Sequence, residues 1–188
     1  IIPLTIIFLL LRAQIVRVVL GSGQFDWNDT ITTADTLAFF SFSLFAQSLI
    51  YLLARGFYAL HNTWTPLWIG IVSAVVIVAA GIYLKTQLGV LGLALAFSLS
   101  AILQMALLWI AIRHKLGTLN EANILNSLYK ISIGAIAMAL VIQLLKYPLA
   151  SVVNMNKFWG ISTQGAVAGL AGLLVYGLIC HLLKLEEV

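Results

Sequence analysis

The chain of 188 residues is 62% hydrophobic and only 9% charged, with a formal net charge of +4 and a mean hydropathy of +1.08. A soluble domain carries about 25% charged residues to keep its surface wet, so a water-soluble globule of this size is excluded and lipid is the implied solvent. The basic residues are scattered rather than clustered, which excludes a nucleic-acid interface, and the single cysteine, Cys180, excludes a disulfide framework or a cysteine-based metal site.

Six hydrophobic segments follow one another, roughly at 1–20, 36–60, 66–85, 89–112, 122–146 and 158–183. The first opens with an apolar stretch from Ile1 to Leu11, about half of the roughly 20 residues a span needs, and then meets Arg12, Gln14 and Arg17. It reads as a helix whose earlier half lies upstream, which makes the chain a fragment. Segments two to six are each long enough to cross a bilayer. Their runs are continuous, without the alternation of a barrel strand, so helices are predicted. Short joints make neighbouring helices antiparallel hairpins.

Punctuation sets the boundaries. Gly21 and Gly23 end segment one, and Thr33 or Asp35 is expected to cap segment two. In the joint HNTWTP, Asn62 is expected to be the left-handed residue closing one helix. Thr65 is then the N-cap of the next and Pro66 its first residue. Gly117 suits the position just past segment four, Asn120 the cap of segment five, and Pro148 is expected to stop segment five. Trp64, Trp68, Tyr83, Trp109, Tyr147, Phe158 and Trp159 lie near segment ends, where amphipathic rings anchor at the headgroup level. Arg113, Lys115 and Lys130 place the joint after segment four in the cytoplasm, together with HNTWTP and the C-terminal tail.

Small residues recur at packing spacing: Gly165 and Gly169 form a GxxxG that Gly172 extends, and Gly70 with Ala74, Ala94 with Ser98 and Ala135 with Ala139 repeat the pattern. They predict helices packed closely on one another. Polar residues within or beside the apolar runs are Arg12, Gln14, Arg17, Gln47, Arg55, Gln104 and Gln143. Arg12 and Arg17 sit near a segment end, within snorkelling reach of water. Arg55 lies deeper and is open to two readings, a snorkelling residue or part of a pathway for an anionic substrate. Enzyme chemistry has no foothold. No carboxylate lies in the core of a segment, His61, His114 and His181 lie at helix ends, and no nucleophile, zinc or phosphate-loop motif is present. No catalytic residue, metal site or cofactor is implied.

Three stretches carry a family resemblance. GFYALHNTWTP (56–66) resembles the FYAxxDTxTP signature of the MurJ/MviN lipid II flippases, in the MATE-like exporter superfamily, through Phe57, Tyr58, Thr63, Thr65 and Pro66. IVRVVLGSGQFDWNDT (15–30) and LGVLGLALAFSLSA (88–101) resemble two further segments of that family in the same order. The resemblance implies an all-α integral membrane protein of which this chain is helices nine to fourteen of 14. Residues 1–117 would belong to the C-terminal six-helix lobe, and 118–188 would be two extra helices forming a groove for a lipid tail. It implies a transporter, not an enzyme, of the bacterial inner membrane. Its partners would be membrane lipid, the missing N-terminal lobe and lipid II or a similar polyprenyl-diphosphate-linked sugar, moved from inner to outer leaflet by alternating access. Exporters of other polyprenyl-linked sugars or of drugs are the neighbouring alternatives. A helical assembly subunit packed through Gly165 and Gly169 is the alternative of another class. The chain departs from the family pattern where Asn62 replaces Asp, Arg55 stands at a common Pro, and Ile77 and Gly81 replace frequent Asn or Asp.

Overall fold

Segment one is not a single rod. In the computed structural model, which describes residues 1–21, 26–117, 121–152 and 158–183, it forms two short helices, α1 (Ile2–Leu10) and α2 (Arg12–Leu20), bent by 72°. The longer helices are α3 (Trp27–Ala59), α4 (Trp64–Leu88), α5 (Val90–Leu116), α6 (Glu121–Val152) and α7 (Phe158–Leu182). Five described helices are long and apolar enough to span a membrane, and the bent pair makes a sixth if it is one span. The all-helical membrane class expected from composition is what the chain adopts.

Several boundaries differ from the sequence expectation, each for a local reason. Helix α3 starts at Trp27 rather than near residue 36. The Trp27 N–H donates to Asp26 Oδ1 at 2.6 Å and the Asp26 N–H to Asp29 Oδ2 at 3.1 Å, so two carboxylates satisfy donors at the helix start, the second as in one half of a capping box. Asp35 therefore caps nothing; it pairs with Arg12 at 3.3 Å. Helix α6 runs through Pro148 to Val152. Proline removes one ladder bond, which membrane helices tolerate. The lost bond is the one to the Leu144 carbonyl. Beside it, Gln164 Nε2 of α7 donates to the Lys146 carbonyl at 2.8 Å and Ser151 Oγ to the Pro148 carbonyl at 2.8 Å, which tie this stretch of α6 to α7 and to its own next turn. Gly117 does close α5, at φ 76° with its N–H on the Arg113 carbonyl. The proposed cap at Asn120 lies outside the described residues.

The described residues pack as two units. One is Thr36–Leu119, most of α3 with α4 and α5. Its core joins Ala46, Ile50, Leu53 and Phe57 of α3 to Ala101, Leu108 and Ile112 of α5. Helices α4 and α5 form an antiparallel hairpin. A Cβ on Gly92 would collide with the Leu84 carbonyl beside the turn, so only glycine allows that approach. Further along, Gly81 faces Ala96, Ser73 faces Ser100 and Gly70 faces Gln104.

The other unit is Ile2–Asp35 with Asn120–Val188. Its core is Leu11, Met138, Ile142 and Ala168. Gly165 faces Gln14 and Gly169 faces Leu11, so the GxxxG face is covered by the chain's own segment one. Gly172 lies against Ile142 and Met138 of α6. The bend is held from the side. Leu10 ends α1, so its carbonyl lacks an intrahelical donor; Lys146 Nζ supplies one at 2.9 Å, a cation at the negative end of a helix. Gln14 Nε2 donates to Gln164 Oε1 at 3.1 Å. Because Gln164 must donate to the Lys146 carbonyl, both amide orientations are fixed. That leaves Gln14 Oε1 buried and without a partner among the described residues.

Candidate transport site

The joint between α3 and α4 is a locked turn rather than a loose loop. The Asn62 N–H donates to the Phe57 carbonyl at 3.0 Å and the His61 N–H to the Tyr58 carbonyl at 3.0 Å, with His61 at φ 53°. This is the double bond of a Schellman helix end, and the left-handed residue is His61, not Asn62 as the sequence suggested. Asn62 acts forward instead. Its Oδ1 accepts the Thr65 N–H at 3.2 Å and its Nδ2 donates to the Thr65 hydroxyl at 2.8 Å. The N-cap position is Thr63, whose side chain makes no cap bond, and Pro66 is the third helical residue. Proline is harmless there too, because the first four helical N–H groups have no intrahelical acceptor.

The five signature residues thus divide their work. Phe57 is fully buried in the α3–α5 core, with Lys115 Nζ 5.9 Å from its ring centroid. Tyr58, Thr63, Trp64, Pro66 and Leu67 line an open cleft of about 660 Å³. Tyr58, Trp64 and Trp68 are exposed, as interfacial anchors are. Arg55, one turn before the end of α3, is exposed and makes no hydrogen bond or ion pair among the described residues. Arg12, by contrast, is engaged with Asp35.

A second site lies deeper in the same unit. Gln47 of α3, Gly70, Ser73, Ala74 and Ile77 of α4, and Phe97, Ser100, Ala101 and Gln104 of α5 line an open-sided cavity of about 200 Å³. Ser73 is nine residues beyond Trp64, which at 1.5 Å per residue is about 14 Å along the helix. A hydrocarbon core about 30 Å thick then puts the cavity near the bilayer midplane. Ser73 and Ser100 satisfy each other: their hydroxyls are 2.8 Å apart and each reaches the other's carbonyl, at 3.2 and 2.7 Å. The Gln47 and Gln104 amides have no hydrogen-bond partner among the described residues and open into the cavity. The two glutamines were visible in the sequence as polar residues in apolar runs. The serines were not, because a lone serine is ordinary in a membrane helix and only hairpin register brings these two together.

No three described His, Cys, Asp or Glu side chains gather as a metal site. The site's chemistry is hydrogen bonding at the midplane and an unpaired cation near the α3 end.

The family model described as Lipid II flippase MurJ matches residues 1–160. The chain belongs to the MurJ family. Relatives named as probable lipid II flippase MurJ bear this out. The Vibrio cholerae protein is 29% identical over 185 residues, covering 98% of this chain and 34% of the relative. The Thermotoga maritima protein is 26% identical over 186 residues, covering 99% and 36%. That of Buchnera aphidicola is 28% identical over 161 residues, covering 86% and 31%. The chain thus spans about a third of the length of the MurJ relatives it matches. A solved structure described as lipid II flippase MurJ in an inward closed conformation shares the fold, with a TM-score of 0.79 and 24% identity over 97% of this chain and 35% of that one. The family expected from residues 15–101 is therefore the one found.

Proposed function

We propose that the chain is the C-terminal part of a flippase that carries lipid II from the inner to the outer leaflet of the bacterial inner membrane by alternating access. The observation that carries this reading is the family match over residues 1–160, in a chain whose helices are built to span a bilayer. Within the whole protein, residues 1–117 contribute to the C-terminal lobe of a 14-helix transporter. Residues 118–188 supply two further helices whose exposed Leu140, Leu144, Leu170, Leu174 and Leu178 suit a polyprenyl tail. The partner of this part is the N-terminal lobe, since alternating access needs two bodies around one site. The reaction is transport, with no bond made or broken in the cargo. Arg55 is the pathway candidate: an arginine free of structural duty is positioned for an anionic headgroup.

The experiment is complementation. The complete protein is expressed in cells depleted of their own flippase, with lipid II in the outer leaflet as the readout. Continued growth with lipid II outside supports the proposal; a well-expressed, correctly inserted protein that fails to rescue refutes it.

A further inference from the structure

We propose that the cavity between Gln47, Ser73, Ser100 and Gln104 is a midplane subsite for a neutral, hydroxyl- or amide-bearing group, and that its occupant is the saccharide part of the lipid-linked cargo. The identity of the occupant rests on the flippase reading above; the chemistry of the subsite rests on its lining.

The lining offers hydrogen bonds without charge. Gln47 and Gln104 each bring two donors and an acceptor oxygen. The serines are already occupied with one another, so the amides are the free polar groups. Both amides are half-buried, and they converge on one open-sided space from two different helices with no partner among the described residues. No charged side chain lines the cavity, so a phosphate finds no counter-charge there, whereas sugar hydroxyls find both donors and acceptors. Phe97 gives the cavity an apolar face. Its ring is held edge-on by Phe40 at 5.3 Å, and the neighbouring Ser98 is tied to the Phe39 carbonyl at 2.6 Å. At about 200 Å³, the space is below the roughly 300–1,000 Å³ of a drug-sized site. It takes one ring or about seven waters, not a whole headgroup. Gly70 borders it: a Cβ there would lie 3.9 Å from Gln104 Nε2, an ordinary contact, and a larger side chain would reach further into the space.

The test measures binding to the complete protein in lipid nanodiscs, with three probes: the saccharide-bearing polyprenyl diphosphate, the bare polyprenyl diphosphate and the free saccharide. Gln47→Leu and Gln104→Leu each weaken the saccharide-bearing lipid about tenfold, and the bare lipid less than about twofold. Gly70→Val, which keeps every polar group and fills the space, has the same selective effect, so the result does not hinge on the stability of the glutamine variants. Unchanged binding in all three variants, or equal loss of both lipids, overturns the subsite. A parent protein that binds neither lipid overturns the flippase reading instead. In that case free saccharide bound by the parent and lost in Gly70→Val still supports the cavity, and no such binding overturns it.

Discussion

Gly172→Ala and Gly177→Ala, two substitutions on one helix, are expected to have opposite signs. A Cβ on Gly172 would lie 2.6 Å from Ile142 Cγ1, 2.8 Å from its Cδ1 and 3.3 Å from Met138 Cγ. Ile142 and Met138 are fully buried, and Ile142 Cγ1 is close to the root of a β-branched side chain, so neither can step aside locally. Overpacking of this kind costs about 1–3 kcal/mol, against a helix-propensity gain of about 1 kcal/mol for replacing glycine. The net for Gly172→Ala is a loss of up to about 2 kcal/mol. At Gly177 nothing lies within 4 Å of the added methyl, so only the gain of up to about 1 kcal/mol remains. Unfolding of the complete protein in bicelles gives both values. A double-mutant cycle isolates the clash: Ile142→Ala alone costs about 2–5 kcal/mol, but in the Gly172→Ala background it costs less by about 1–3 kcal/mol. Equal effects of the two glycine substitutions, or an additive cycle, would refute the account of α6–α7 packing.

Transport by the complete protein should fall further for Arg55→Ala than for Arg12→Ala, since Arg12 is paired with Asp35 and Arg55 is unpaired among the described residues; parental flux in Arg55→Ala removes Arg55 from the pathway. Asn62→Ala loses both bonds to Thr65 and should lower stability by about 1 kcal/mol. Asn62→Asp should stay within about 0.5 kcal/mol of the parent, because its carboxylate still accepts from the Thr65 N–H and the Thr65 hydroxyl can turn to donate. Both are read from the thermal midpoint.

Much of this molecule was legible because lipid simplifies the code. Long apolar runs leave the backbone little choice but helix, and Gly117 closes α5 as its sequence position suggested. What misled were groups whose partners lie elsewhere. Pro148 looked like a stop, but the helix tolerates the loss of one ladder bond, and Gln164 of α7 docks on the neighbouring Lys146 carbonyl. Asp35 looked like a cap but answers Arg12. Asn62 was assigned the left-handed conformation that His61 adopts, because local preference ranks asparagine first while the forward bonds to Thr65 hold it otherwise. Among candidate site residues, order and spacing singled out the joint as the stretch that carries the family resemblance. The midplane cavity was half readable, through its glutamines but not its serines.

The bend after Leu10 also bears on how the chain is made. Its carbonyl waits for Lys146, 136 residues further on, and Gln14 waits for Gln164, 150 residues further on. At about 5–20 residues per second, a ribosome needs roughly 7–30 seconds to deliver them. Until then α1 and α2 have no side chain from α6 or α7 to hold the angle between them. Segment one is thus made well before the residues that fix its bend, and its final geometry is set only when α6 and α7 arrive.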